Sequence, residues 1–109
     1  SSTGFDPVPG YGAYGLAKGA LWLLTKYMAA EWGRSGIRVN AFTPGTVATG
    51  DDEAAARLTQ VLSGNGMLAR TALGRVGRNS ECIGIAVHFA SDESSFTSGQ
   101  RVHVDGGRY

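Results

Sequence analysis

Ile37-Arg38-Val39-Asn40-Ala41-Phe42-Thr43, set between Gly36 and the pair Pro44-Gly45, alternates apolar and other residues and predicts a strand ending at Thr43. Before it, Ala17, Ala20, Leu21, Leu24, Tyr27 and Met28 recur at spacings of three and four, which predicts one helix from about Ala13 to Trp32. Gly33 and Gly36 supply its stop. The stretch Thr3 to Gly12 carries Pro7 and Pro9 among its glycines and reads as a loop entering that helix.

On the other side of the strand, Asp51, Asp52 and Glu53 favour the first turn of a second helix. Its residues Ala55 to Leu62 lead into Ser63-Gly64-Asn65-Gly66, and the whole segment from Ala48 to Arg70 reads as a mobile flap that shapes a pocket. Leu73-Gly74-Arg75-Val76-Gly77 is a turn, after which Asn79 or Ser80 is expected to cap a third helix through Ile83, Ile85, Ala86, Phe89 and Ala90. A last strand, Gln100 to Val104, opens after Gly99 and closes on Asp105-Gly106-Gly107. Helices lying between strands point to α/β with a parallel sheet.

Composition narrows the function classes. A hydrophobic share of 42% against 17% charged residues fits a chain that buries a core rather than a disordered one. A net charge of +1 without a basic stripe argues against a nucleic-acid partner. The apolar stretch around Ala20 to Ala30 is broken by Lys26 and is shorter than the ~20 residues a bilayer requires, so no membrane span is expected. Cys82 is the only cysteine, which excludes an internal disulfide, suits a cytoplasmic location and reads as a small buried or half-buried side chain. The opening Ser1-Ser2-Thr3 carries no export signal and reads as a cut through a longer gene.

Tyr14 and Lys18 stand four residues apart on the expected helix and so share one face. A phenol has an ordinary pKa of ~10, too high to trade protons near neutrality, and a nearby ammonium favours the phenolate. The pair is therefore a plausible acid/base unit.

Tyr14-Gly15-Leu16-Ala17-Lys18, followed by Gly19-Ala20-Leu21, resembles the Tyr-x-x-x-Lys signature of the short-chain dehydrogenase/reductase family. Ser1-Ser2-Thr3-Gly4 resembles its serine segment, with Ser1 thirteen residues before Tyr14 and Ser2 as the alternative. The run Arg38 to Thr49, the turn Leu73 to Gly77, the stretch Ala90 to Gln100 and the ending Val104-Asp105-Gly106-Gly107 are similar to its later segments, so the likeness spans the chain. The resemblance implies the C-terminal part of a Rossmann-type doubly wound parallel sheet over residues 1–109, similar to 3-oxoacyl-[acyl-carrier-protein] reductase-like members. It implies NAD or NADP as cofactor and a small-molecule carbonyl or alcohol as substrate, with a homo-oligomer, dimer or tetramer, as the full-length state. By position, Tyr14 would carry the substrate proton, Lys18 would lower the Tyr14 pKa and bind the nicotinamide ribose, and Ser1 would hydrogen-bond the carbonyl oxygen. Pro44, Gly45, Val47 and Thr49 would contact the nicotinamide half, with Gly45 free of a Cβ so that the chain can approach it.

The chain departs from the family in lacking its Gly-rich turn and its Asn-Asn-Ala-Gly-like segment, which leaves the pyrophosphate site and the choice between NAD and NADP outside it. Gly10-Tyr11-Gly12-Ala13-Tyr14-Gly15 fits G-x-G-x-x-G, but a Pro-rich loop precedes it and a helix follows, so the dinucleotide reading is rejected. An isolated chain of this kind is expected to expose strand edges and apolar faces and to be inactive. Arg78-Asn79-Ser80-Glu81 stands where the family has a proline, a change at a helix start. His88 and His103 have no metal-ligand partners at useful spacing, so no metal is expected. Trp22 or Tyr27 would lie at a subunit interface. The competing reading is a non-catalytic interaction or dimerisation module.

Overall fold

The structure, a computed structural model, describes residues 1–64 and 66–109, so Asn65 of the Gly-rich stretch lies outside the described residues. A short 3-10 turn, Ser2–Gly4, precedes the long helix α1, Gly12–Trp32. The helix ends where expected, with Gly36 in the left-handed region at φ 77°, a conformation that favours glycine.

The strand β1 is Ala41–Pro44, shorter than the run from Ile37 predicts. It pairs in parallel with β4, Arg101–Val104, with Ala41 opposite Arg101 and Pro44 opposite Val104. Ahead of Ala41, side chains and a turn take over the ladder's bonds: the Val39 N–H donates to Ser98 Oγ at 3.2 Å, and the Gly99 N–H donates to the Val39 carbonyl at 2.7 Å. Likewise the Gln100 N–H donates to Asn40 Oδ1 at 3.0 Å, which starts β4 one residue late.

A second parallel pair joins β2, Val47–Ala48, to β3, Gly77–Arg78. Between them lies α2, Asp52–Gly64, capped by Asp51 Oδ1, which accepts the Ala54 N–H at 2.8 Å. Ser63 and Gly64 thus continue the helix instead of opening a loop. The segment read as a flap supplies much of the core: Ala48, Ala55 and Leu68 are buried with Val76, and Leu58 and Leu62 pack on them.

The turn Asn79–Cys82 runs into α3, Ile83–Ala90. Neither Asn79 nor Ser80 caps it. Cys82 stands at the cap position of α3 without a side-chain bond, while Arg78 caps the preceding turn, where the Glu81 carboxylate reaches back to accept the Arg78 N–H at 2.8 Å.

Helix α1 has no buried residue, and Leu16 is 78% exposed. The apolar face expected on it finds only the pair β1 and β4 as a sheet, so Leu21, Leu24 and Tyr27 stay open to solvent. No helix among the described residues is long and apolar enough to cross a membrane.

Candidate active site

Tyr14 sits in the first turns of α1, 46% exposed, with its ring between two neighbours. Lys18 Nζ lies 5.4 Å from its centroid, within cation–π reach, and the Tyr11 ring meets it edge-on at 6.3 Å. One helical turn separates the pair, as the spacing predicts.

The Ser1 turn packs directly on this helix because three glycines allow it. A Cβ on Gly4 would come within 2.8 Å of the Gly19 nitrogen, and one on Gly15 within 2.9 Å of the Thr3 carbonyl oxygen. Glycines inside a helix weaken it by ~1 kcal/mol each, so Gly15 and Gly19 around Lys18 were the sequence signal for a close approach. Of the glycines in Gly10-Tyr11-Gly12-Ala13-Tyr14-Gly15, Gly15 alone has this packing role; Gly10 and Gly12 face open space.

Ser1 Oγ donates to Thr3 Oγ1 at 3.1 Å and accepts the Thr3 N–H at 3.3 Å, capping the turn. Ser1, Lys18 and Pro44 border one cavity of about 420 Å³ between α1 and β1, together with Trp22, Thr43 and Arg101. Ser2, by contrast, is buried, and its carbonyl accepts the N–H groups of Phe5 and Asp6 at 2.8 and 2.9 Å.

The other expected cofactor contacts divide. Pro44 ends β1 on the cavity, at the carboxyl end of the strand, where ligands bind in open parallel sheets. Gly45 donates its N–H to the Val104 carbonyl at 3.0 Å, and a Cβ there would lie 2.7 Å from the Asp105 Cα. The absence of a side chain at Gly45 is therefore required by the protein's own backbone. Val47 belongs to β2 and borders a second cavity of about 180 Å³ with Arg75, Cys82 and Asp105, whereas Thr49 is exposed.

Around that second cavity the charges are paired. Arg75 Nη2 and Nη1 donate to Glu81 Oε1 and Oε2 at 2.6 and 2.8 Å, a bidentate contact. These bonds, with the Arg78 N–H, hold the Glu81 carboxyl down at about 2 against an opposing effect of burial. His103 Nδ1 lies 3.3 Å from Asp105 Oδ2, and Asp105 Oδ1 accepts the N–H groups of Gly107 and Arg108 at 3.0 and 3.3 Å. Among the described residues no group of three or more His, Cys, Asp or Glu is placed to hold a metal.

Comparison with known proteins agrees along the chain. A family profile described as enoyl-(acyl carrier protein) reductase matches residues 1–108. Gluconate 5-dehydrogenase of Gluconobacter oxydans is 43% identical over 100 residues, covering 91% of this chain and 38% of that protein. A 3-oxoacyl-[acyl-carrier protein] reductase of Brucella melitensis with bound NAD superposes with a TM-score of 0.81 at 35% identity, over 100% of this chain and 38% of that one. A proposed 2-deoxy-d-gluconate 3-dehydrogenase from Agrobacterium tumefaciens with bound NADP gives 0.83 at 33% identity, over 98% and 43%. The chain thus spans about two fifths of the length of these relatives.

Proposed function

The chain belongs to the short-chain dehydrogenase/reductase family and has its Rossmann-type fold in part, and from this we propose that it is the C-terminal catalytic portion of an NAD(P)-dependent oxidoreductase. The substrate is a small carbonyl compound or secondary alcohol. Tyr14 gives its phenolic proton to the substrate oxygen in reduction and takes it back in oxidation. Lys18 holds its ammonium over the phenol ring, and Ser1 Oγ donates to the substrate oxygen where negative charge develops.

The observation that carries this reading is the ammonium of Lys18 over the Tyr14 ring at 5.4 Å, with Lys18 and Ser1 on the wall of one cavity. Lys18, with Pro44 across the same cavity, fits the ribose and nicotinamide end of the cofactor. NAD(P)H, when bound, supplies the hydride. The chain contains no Gly-rich strand-turn-helix for the pyrophosphate, so residues 1–109 alone are inactive in this reading.

A homo-oligomer in the cytoplasm completes the proposal. Tyr27, 59% exposed, and Leu23, 56% exposed, are among the α1 residues open to a second subunit. Trp22 is turned towards the cavity, with Lys26 and Arg101 5.3 and 5.1 Å from its ring.

Replacing Tyr14 with Phe in the complete protein tests the chemistry. Carbonyl-dependent NAD(P)H consumption should be lost while NAD(P)H still binds; unchanged turnover would overturn the assignment.

A further inference from the structure

Arg101, the first residue of β4, points its guanidinium at two aromatic rings. Its Cζ lies 3.3 Å from the Phe5 centroid and 5.1 Å from that of Trp22. Its Nη1 is fully buried and has no hydrogen-bond partner among the described residues. A guanidinium is planar and weakly hydrated, so it stacks on ring faces where an ammonium would stay in water. With one nitrogen unpaired, this contact holds mainly by stacking.

Phe5 is the residue that closes the Ser1 turn. Its N–H donates to the Ser2 carbonyl at 2.8 Å, while Ser1 Oγ caps the other end through the Thr3 N–H. The Phe5 ring also meets the His103 ring edge-on at 6.4 Å. Gly4 fastens the turn to α1, and Arg101 fastens it to β4. Ser1, Lys18 and Arg101 meet on the same cavity wall.

We infer that Arg101 is a positioning residue for Ser1: through Phe5 it holds the serine-bearing turn against the sheet, so that the Ser1 hydroxyl stays on the wall it shares with Lys18. The inference rests on the role proposed above for Ser1. A loss of the stack lets the turn shift, and misplacement by about 1 Å costs up to ~100-fold in rate.

A double-mutant cycle in the complete protein tests it. Arg101→Met should lower kcat about 10- to 100-fold with the KM for NAD(P)H unchanged, and should lower it no further when added to Ser1→Ala. Phe5→Leu keeps the apolar volume, removes the ring face, and should reproduce both results even where Arg101→Met fails to fold. If Ser1→Ala leaves kcat intact, the serine assignment falls and the positioning role with it. If Ser1→Ala impairs kcat but the Arg101 and Phe5 variants are silent, or multiply with it independently, the positioning role alone is overturned.

Discussion

Gly4 and Gly19 are in backbone contact: a Cβ on Gly4 would stand 2.8 Å from the Gly19 nitrogen and 2.9 Å from the Lys18 carbonyl carbon. These are main-chain atoms, which cannot swing aside. Gly4→Ala should therefore push the Ser1 turn away from α1, destabilising the complete protein by about 1–3 kcal/mol, as overpacking commonly does. Thermal unfolding measures the loss, and kcat should fall with it because Ser1 moves relative to Lys18.

Lys18→Met removes the charge over the Tyr14 ring while keeping much of the apolar stem. Turnover should drop by roughly 10²- to 10⁴-fold, the usual worth of an acid/base unit, and the KM for NAD(P)H should rise because Lys18 is also a ribose contact. Steady-state kinetics separate the two effects. A rise in KM with kcat unchanged would assign Lys18 to binding alone.

Glu81 makes stability depend on acid. Its carboxyl is held at about 2 in the folded chain, against an ordinary 4.5, by the hydrogen bonds from Arg75 and the Arg78 N–H. A depressed carboxyl stabilises the fold above the unfolded value and loses that contribution as pH falls through the folded one. The stabilisation is thus complete above about pH 4.5 and disappears towards pH 2. Glu81→Gln should lower the melting temperature at neutral pH and flatten its decline over that window, which melting curves at a series of pH values would check.

Arg38 ties the loop after α3 to the start of β1. Its Nη1 donates to Ser94 Oγ at 2.5 Å and its Nη2 to the Ser91 carbonyl at 3.0 Å, while Ser94 is wholly buried. Arg38→Met leaves the buried Ser94 Oγ without its donor and should cost about 1–3 kcal/mol in urea unfolding. Arg38→Lys should recover only part, because an ammonium does not reproduce the two-nitrogen fork.

Much of this was legible along the chain. The spacing of Tyr14 and Lys18, the helix stop at Gly33 and Gly36, and the Pro-Gly end of the strand are local facts, set by helix geometry and by residues with few backbone options. The parallel pairing of β1 with β4 followed from the order of elements, since helices between strands return the chain to the same end of the sheet.

Tertiary contact decided the rest, because it joins residues whose separation in sequence carries no periodic signal. Val39 lost its place in a strand to Ser98 and Gly99, and Glu81, not Asn79 or Ser80, became the partner of the turn before α3. Gly45 is bare because Asp105 lies against it, and the Ser1 turn is held by Gly19 and Arg101, one in α1 and the other at the start of β4. Amino-acid order alone determined which groups stand on one helix face. Which hydroxyl shares a cavity with Lys18 depended on Gly4 packing against the Gly19 backbone, where there is no room for a side chain, and on Arg101 stacking on Phe5 from the far end of the chain.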